Sequence, residues 1–156
     1  MRARLIAAGT RLPHWVDAGY AEYANRFGPG LHLELIEIPI PRRRGSADVA
    51  RAIATEGDRM LAAIGSRDFV VTLEVSGRAM ATVELARWLQ ARLAGGRDLA
   101  FVIGGPDGLS KELLARADFR WSLSPLTWPH GLVRVMVAEQ LYRAQSVLKG
   151  HPYHRG

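Results

Sequence analysis

Cysteine is absent from the 156-residue chain, which excludes disulfides, thiolate catalysis and most zinc sites while leaving every redox compartment open. No apolar run approaches the roughly 18 residues of a membrane helix. The opening Met1 to Gly9, interrupted by Arg2 and Arg4, is too short for a secretory core. A cytoplasmic protein with no membrane attachment is therefore expected. Repeats, low-complexity tracts and long linkers are missing too, so residues 1–156 read as a single domain. A chain of this length buries roughly two thirds of its unfolded surface, enough for a core without staples. Hydrophobic content of 48% and charged content of 23% lie near globular averages and argue against disorder. The G-x-G-x-x-G fingerprint of dinucleotide sites does not occur.

What is abundant is positive charge. The formal net charge is +6, with a sequence pI near 10.5, and the excess is mostly arginine. Arginine forks match phosphate oxygens and stack on bases, so a nucleic-acid partner fits; a solvated arginine-rich surface accounts for the same composition. The densest run, Arg42-Arg43-Arg44, follows Pro41 in a basic loop suited to an RNA backbone, or simply to solvent.

Strand and helix signals alternate along the chain. Strands are predicted at Leu5 to Ala8, Leu31 to Ile38, Phe69 to Val75, Leu99 to Ile103 and Phe119 to Leu123. Helices are predicted from Pro13 to about Phe27, Ala47 to Ile64, Thr82 to Leu93, Ser110 to Ala117 and Pro129 to about Leu148. Ser76-Gly77 reads as the turn that closes the third strand. Such βα alternation without linkers predicts an α/β fold: a mainly parallel sheet of five to six strands with helices on both faces.

Two Gly/Pro-rich segments follow the last two strands. Gly104-Gly105-Pro106-Asp107-Gly108 follows one, and Leu123-Ser124-Pro125-Leu126-Thr127-Trp128-Pro129-His130 follows the other. Open α/β sheets bind ligands beyond the carboxyl ends of their strands, so these bends are candidates for opposite walls of one pocket. Glycines let a ligand approach the backbone closely, and the prolines stiffen the second bend. The chain then closes on His151-Pro152-Tyr153-His154-Arg155, which combines aromatic, titratable and cationic groups. Tyr153 suits stacking on a base, Arg155 suits a phosphate or uracil oxygens, and a histidine such as His154 can move a proton near neutral pH. Glu139 and Arg143 stand at the i, i+4 spacing of a helix ion pair. His130 and Arg134 fit either a functional role or a cap at the start of the last helix. That helix carries apolar residues on more than one side, among them Leu132, Val135 and Met136, which suits burial against both a sheet and a partner.

In order and spacing, several segments resemble the bacterial large-subunit rRNA pseudouridine N3-methyltransferases of the SPOUT superfamily. They are Gly9-Thr10 with Pro13 and Trp15, Leu35 to Pro39, Thr72-Leu73-Glu74, Ile103 to Gly108, Ser122 to His130, Leu132-Val133-Arg134, Ala138 to Arg143 and His151 to Arg155. The likeness runs nearly end to end. It departs at Gly156, where an acidic residue is common, and at Trp128, where an aliphatic one is usual.

The resemblance implies a carboxyl-terminal deep trefoil knot that forms the S-adenosylmethionine site, although knots are rare exceptions to ordinary chain topology. It places Leu73, Gly104, Gly105, Leu123, Ser124, Pro125, Leu126, Thr127 and Trp128 at the cofactor. It also implies a homodimer in which one subunit's cofactor faces the other's tail, and 23S rRNA within the assembled ribosome as substrate. No metal is required. Tyr153, His154, Arg155 and Arg134 are then the candidates for holding the base, accepting its proton and balancing charge on the ring oxygens. A non-catalytic RNA-binding or ribosome-associated protein would share the charge and the tail but would not bind S-adenosylmethionine. A small-molecule enzyme using a nucleotide would ignore ribosomes.

Overall fold

The computed structural model describes residues 1–42 and 45–155. In chain order the elements are β1 (Arg2–Ala8), α1 (His14–Ala24), β2 (His32–Ile38), α2 (Ser46–Ala63), β3 (Phe69–Ala79), α3 (Thr82–Gly95), β4 (Leu99–Ile103), α4 (Lys111–Arg116), β5 (Phe119–Ser122), α5 (His130–Leu148) and a closing 3-10 turn, Pro152–Arg155. Among the described residues the strands form one sheet in the order β2-β1-β4-β3-β5, and every neighbouring pair is parallel. The expected α/β class and parallel sheet are thus observed, with five strands. Arg43, Arg44 and Gly156 lie outside the described residues, so the basic loop is described only as far as Arg42.

Strand composition follows position in the sheet. β4 lies between β1 and β3, and all five of its residues are buried, which is why it reads as an unbroken apolar run. β2 is an edge strand: Leu33 and Ile38 point inward while His32, Glu34 and Glu37 meet solvent. On one face α1, α3 and α5 bring Tyr20, Leu85, Leu89, Val137 and Leu141 onto Leu5, Val71, Phe101 and Ile103. On the other face α2 and α4 bring Met60 and Leu113 onto Ile6, Val70 and Val102. Each large side chain fully buried this way contributes on the order of 1.5–3 kcal/mol. Helices therefore cover both faces, as the alternation required.

One expected turn is overturned. β3 does not end at Val75; it continues to Ala79, and its register against β5 shifts so that Leu73 and Arg78 both stand opposite Trp121. Residues 74–77 consequently bulge from the ladder. A Cβ on Gly77 would lie 2.8 Å from the backbone carbonyl carbon and oxygen of Arg120. Gly77 therefore serves the close approach of β5 to β3, not a turn, and an isolated glycine in a strand pattern is the sequence mark of such a bulge.

Candidate active site

Because all strands run in parallel, the chain leaves β3, β4 and β5 on the same edge of the sheet. The segments there enclose a cavity of about 860 Å³, within the range of small-molecule sites. Of the residues expected at the cofactor, Leu73, Gly104, Gly105, Leu123, Ser124, Leu126, Thr127 and Trp128 line this cavity. Pro125 does not: it is exposed at the outer side of its bend and acts by stiffening it. Two side-chain bonds hold the same bend. The Ser122 hydroxyl donates to the Ser124 carbonyl at 3.0 Å, and Ser124 Oγ accepts from the Leu126 amide at 3.0 Å. The preceding turn closes through the Gly108 amide on the Gly105 carbonyl, 3.1 Å, with Gly108 at φ +84°. A Cβ on Gly104 would meet Leu109 Cδ2 at 2.8 Å and the Gly108 carbonyl carbon and oxygen at 3.2 Å, so a side chain there would have to displace Leu109 and crowd the returning backbone.

The third wall escaped sequence reasoning. Glu74, Val75 and Ser76, the residues of the β3 bulge, line the cavity, and so do Ile103, Leu109, Leu114 and Trp121. Only the unexpected bulge turns this stretch of β3 toward the other two bends. An ion pair pins it. Arg120 donates Nε to Glu74 Oε2 and Nη2 to Glu74 Oε1, both at 2.7 Å, and reaches Ser76 Oγ at 3.2 Å; the Thr72 hydroxyl adds 2.8 Å to Glu74 Oε2. Burial raises the Glu74 pKa, but the Arg120 and Thr72 hydrogen bonds outweigh it, so the carboxyl sits below its ordinary value. A depressed pKa contributes stability that is fully present above the unfolded value and is lost as pH falls through the folded one. Thermal midpoints measured downward from about pH 4.5 are therefore expected to fall more steeply for the wild type than for E74Q. Parallel curves would show that the pair contributes nothing.

Arg134 is not placed to act on a substrate. Its side chain is wholly buried, pairs with Glu37 Oε2 at 2.7 Å and donates to the Ala8 and Gly9 carbonyls, both at 3.2 Å. It ties α5 to the carboxyl ends of β1 and β2, and it is not among the cavity's lining residues. Arginine at that position satisfied the sequence pattern, but only the packing shows that both Nη atoms are held by protein groups while Nε is buried without a partner. One turn earlier His130 lines the cavity, and its Nε2 stands 3.2 Å from the point a Cβ on Gly9 would occupy.

The tail residues Tyr153, His154 and Arg155 do not line the cavity of their own chain. The closing turn lies on α5 well beyond the cavity: the Tyr153 hydroxyl donates to Glu139 Oε1 at 3.0 Å, and Glu139 is roughly 13 Å along the helix axis from His130. The Tyr153 ring packs edge-on against Tyr142 with centroids 4.7 Å apart, and the guanidiniums of Arg143 and Arg26 stand 5.0 and 5.7 Å from its centroid. Burial and the bond to Glu139 both push its phenol pKa upward. Tyr153 therefore anchors the tail to α5. Glu139 and Arg143 do form the expected ion pair, 2.7 Å, and it doubles as the floor for Tyr153. His154 Nδ1 lies 2.6 Å from the His151 carbonyl oxygen; a carbonyl only accepts, so Nδ1 is the donor and Nε2 is left outside this bond. Arg155 is exposed.

A family model described as "Predicted SPOUT methyltransferase" matches residues 1–154. The chain belongs to the SPOUT methyltransferase family. Over 155 residues it is 59% identical to the "Ribosomal RNA large subunit methyltransferase H" of Alkalilimnicola ehrlichii, covering 99% of both chains. Proteins of the same name from Thioalkalivibrio sulfidiphilus and Pseudomonas fluorescens are 56% and 54% identical over 99% of this chain and 99% and 100% of theirs. Among solved structures, a probable methylase family protein from Haemophilus influenzae Rd KW20 superposes with a TM-score of 0.57 at 17% identity, covering 97% of this chain and 69% of that one, a likeness of fold. Among the described residues of this SPOUT methyltransferase no group of three or more His, Asp or Glu side chains could hold a metal ion. Nor is any helix among them long and apolar enough to cross a membrane.

Proposed function

We propose that this SPOUT methyltransferase uses S-adenosylmethionine to methylate N3 of a pseudouridine in large-subunit 23S ribosomal RNA. It acts on the assembled ribosome, in the cytoplasm, as a single-domain chain with a knotted carboxyl-terminal region that works as a homodimer. The observation that carries this reading is the cavity itself: a backbone-lined glycine turn on one side and a proline-stiffened bend on the other, both on the carboxyl edge of one sheet. The names of the relatives point to large-subunit ribosomal RNA.

The residues present fit an adenosyl group. Leu73, Ile103, Leu109, Leu123 and Leu126 supply apolar walls for a purine, and the glycine turn, free of side chains, lets a ligand approach the backbone there. Trp128 Nε1 is buried without a hydrogen-bond partner, a donor that a ligand acceptor would satisfy. When bound, the cofactor supplies a methyl group already activated on a sulfonium sulfur. The chain's task is then to position the acceptor and manage its proton. N3 of the pseudouridine ring is an imide that becomes nucleophilic as its proton leaves, and His154 Nε2 is the base to take it. Arg155 balances charge gathering on the flanking carbonyl oxygens.

Because the tail of one chain lies away from that chain's own cavity, a second copy must bring its tail to the site. Two exposed-side apolar residues of α5 support such a pairing: Leu132 and Met136, at i and i+4, remain half-buried and are not packed into either core cluster. The deciding experiment incubates purified protein with methyl-labelled S-adenosylmethionine and either free rRNA, separated subunits or whole ribosomes. Label is expected in rRNA from whole ribosomes; label in none of the three overturns the assignment. Calorimetry with the cofactor alone separates the enzyme from a non-catalytic RNA-binding protein, which would give no heat of binding.

A further inference from the structure

Glu56 lies on α2, on the sheet face opposite α5, and carries a carboxylate only 2% exposed. Its Oε1 accepts the Gly105 amide at 3.1 Å, so it reaches from beneath the sheet edge to the glycine turn that floors the cavity. The next residue, Gly57, lets the other end of the same segment approach α2 closely. A Cβ on Gly57 would come within 2.8 Å of Ser110 Cβ, and Ser110 caps α4 by accepting the Leu113 amide at 3.2 Å. Residues 104–110 thus pack against α2 at both ends, through the Glu56 bond at Gly105 and the close approach of Ser110 to Gly57.

The peptide joining Gly104 to Gly105 is trans, since no cis bond occurs among the described residues. In a trans peptide the carbonyl points opposite to the amide hydrogen. With the Gly105 N–H committed to Glu56, the Gly104 carbonyl is turned away from that carboxylate, at a residue that lines the cavity. Hydrogen bonding the amide to a carboxylate also polarises the peptide and strengthens its carbonyl as an acceptor.

We infer that Glu56 is a positioning residue for the nucleoside half of the cofactor: by fixing the Gly104–Gly105 peptide it presents the Gly104 carbonyl to a hydroxyl or amino donor of the bound adenosine. This rests on the adenosyl reading of the cavity proposed above. It predicts that loss of the Glu56 acceptor weakens S-adenosylmethionine and free adenosine by the same factor, because the contact lies on their common part.

The test compares wild type, E56A, E56Q and M60A by calorimetry with both ligands and by thermal melting. Met60 is fully buried one turn further along α2, in the core cluster under the sheet, and M60A controls for general loosening of that helix. E56A is expected to weaken both ligands by about tenfold or more. E56Q keeps an oxygen acceptor for Gly105 and should stay within about threefold of wild type. M60A should melt earlier yet bind normally. If E56A does not fold, E56D, which keeps the charge but withdraws the carboxylate by one methylene, carries the same expectation. Wild-type affinity in the variant lacking the acceptor overturns the inference. So does an affinity loss that M60A shares in proportion to its melting shift, or an E56Q as weak as E56A. If the wild type binds neither ligand, the adenosyl reading itself falls and this inference with it.

Discussion

H154A and R155A are each expected to slow methyl transfer to ribosomes by a factor of about 100 or more, while S-adenosylmethionine affinity stays within about twofold of wild type. The separation follows from distance. Neither residue lines the cavity of its own chain, and the closing turn is fastened to α5 through Tyr153 at Glu139 and Tyr142. Removing the side chain that takes the proton, or the one that balances charge, leaves the cofactor's walls intact. The same geometry makes a second expectation. An R155A chain mixed with a chain whose glycine turn is blocked, G104V, should regain activity that neither homodimer has, because one hybrid site pairs an intact cavity with an intact tail. The G104V block rests on the bulk of a branched side chain where a Cβ alone already lies 3.2 Å from the Gly108 backbone and 2.8 Å from Leu109 Cδ2. Absence of complementation, with dimers confirmed by sedimentation, would place tail and cavity in the same chain and overturn the two-copy site. Loss of cofactor affinity in H154A or R155A would instead place the tail inside the cofactor site.

R134A is expected to act on stability before activity. Truncating one partner of a buried ion pair typically costs about 3–5 kcal/mol, chiefly because the other partners are left without their counterpart. The side chain of Glu37 is 36% exposed and recovers some hydration, so the lower end of that range applies. The Ala8 and Gly9 carbonyls each lose a guanidinium donor besides. For a chain of this size about 3 kcal/mol corresponds to a melting point lower by roughly 6–12 °C. R134M, which keeps the apolar stem, should lose less. A variant that melts like wild type but transfers methyl slowly would restore Arg134 to the catalytic role its sequence position suggests.

How much of the site was legible depended on whether a residue's role is local. Gly104, Gly108 and the Ser124-Pro125 bend were readable because turn chemistry resides in a few consecutive residues. The i, i+4 pair Glu139 and Arg143 was readable for the same reason. Glu74, Val75 and Ser76 were not, because they face the cavity only through a register shift between β3 and β5, strands far apart in the chain. Glu56 was invisible for a similar reason: its partner, Gly105, is 49 residues away. Arg134 stayed open between two readings in the sequence. Its chemistry suits substrate binding, and nothing nearby in sequence announces that Glu37 and two backbone carbonyls already occupy it.

Period, composition and turn residues alone determined the α/β class, the parallel sheet, the helices on both faces and the two bends that form the cavity, since each is set by the burial pattern or backbone preference of neighbouring residues. Tertiary structure alone decided which side chains the bends share with β3, that Tyr153 anchors the tail, and that Arg134 belongs to the core. Those outcomes depend on which distant segments meet, and hydrogen-bond partners and burial exist only once they have.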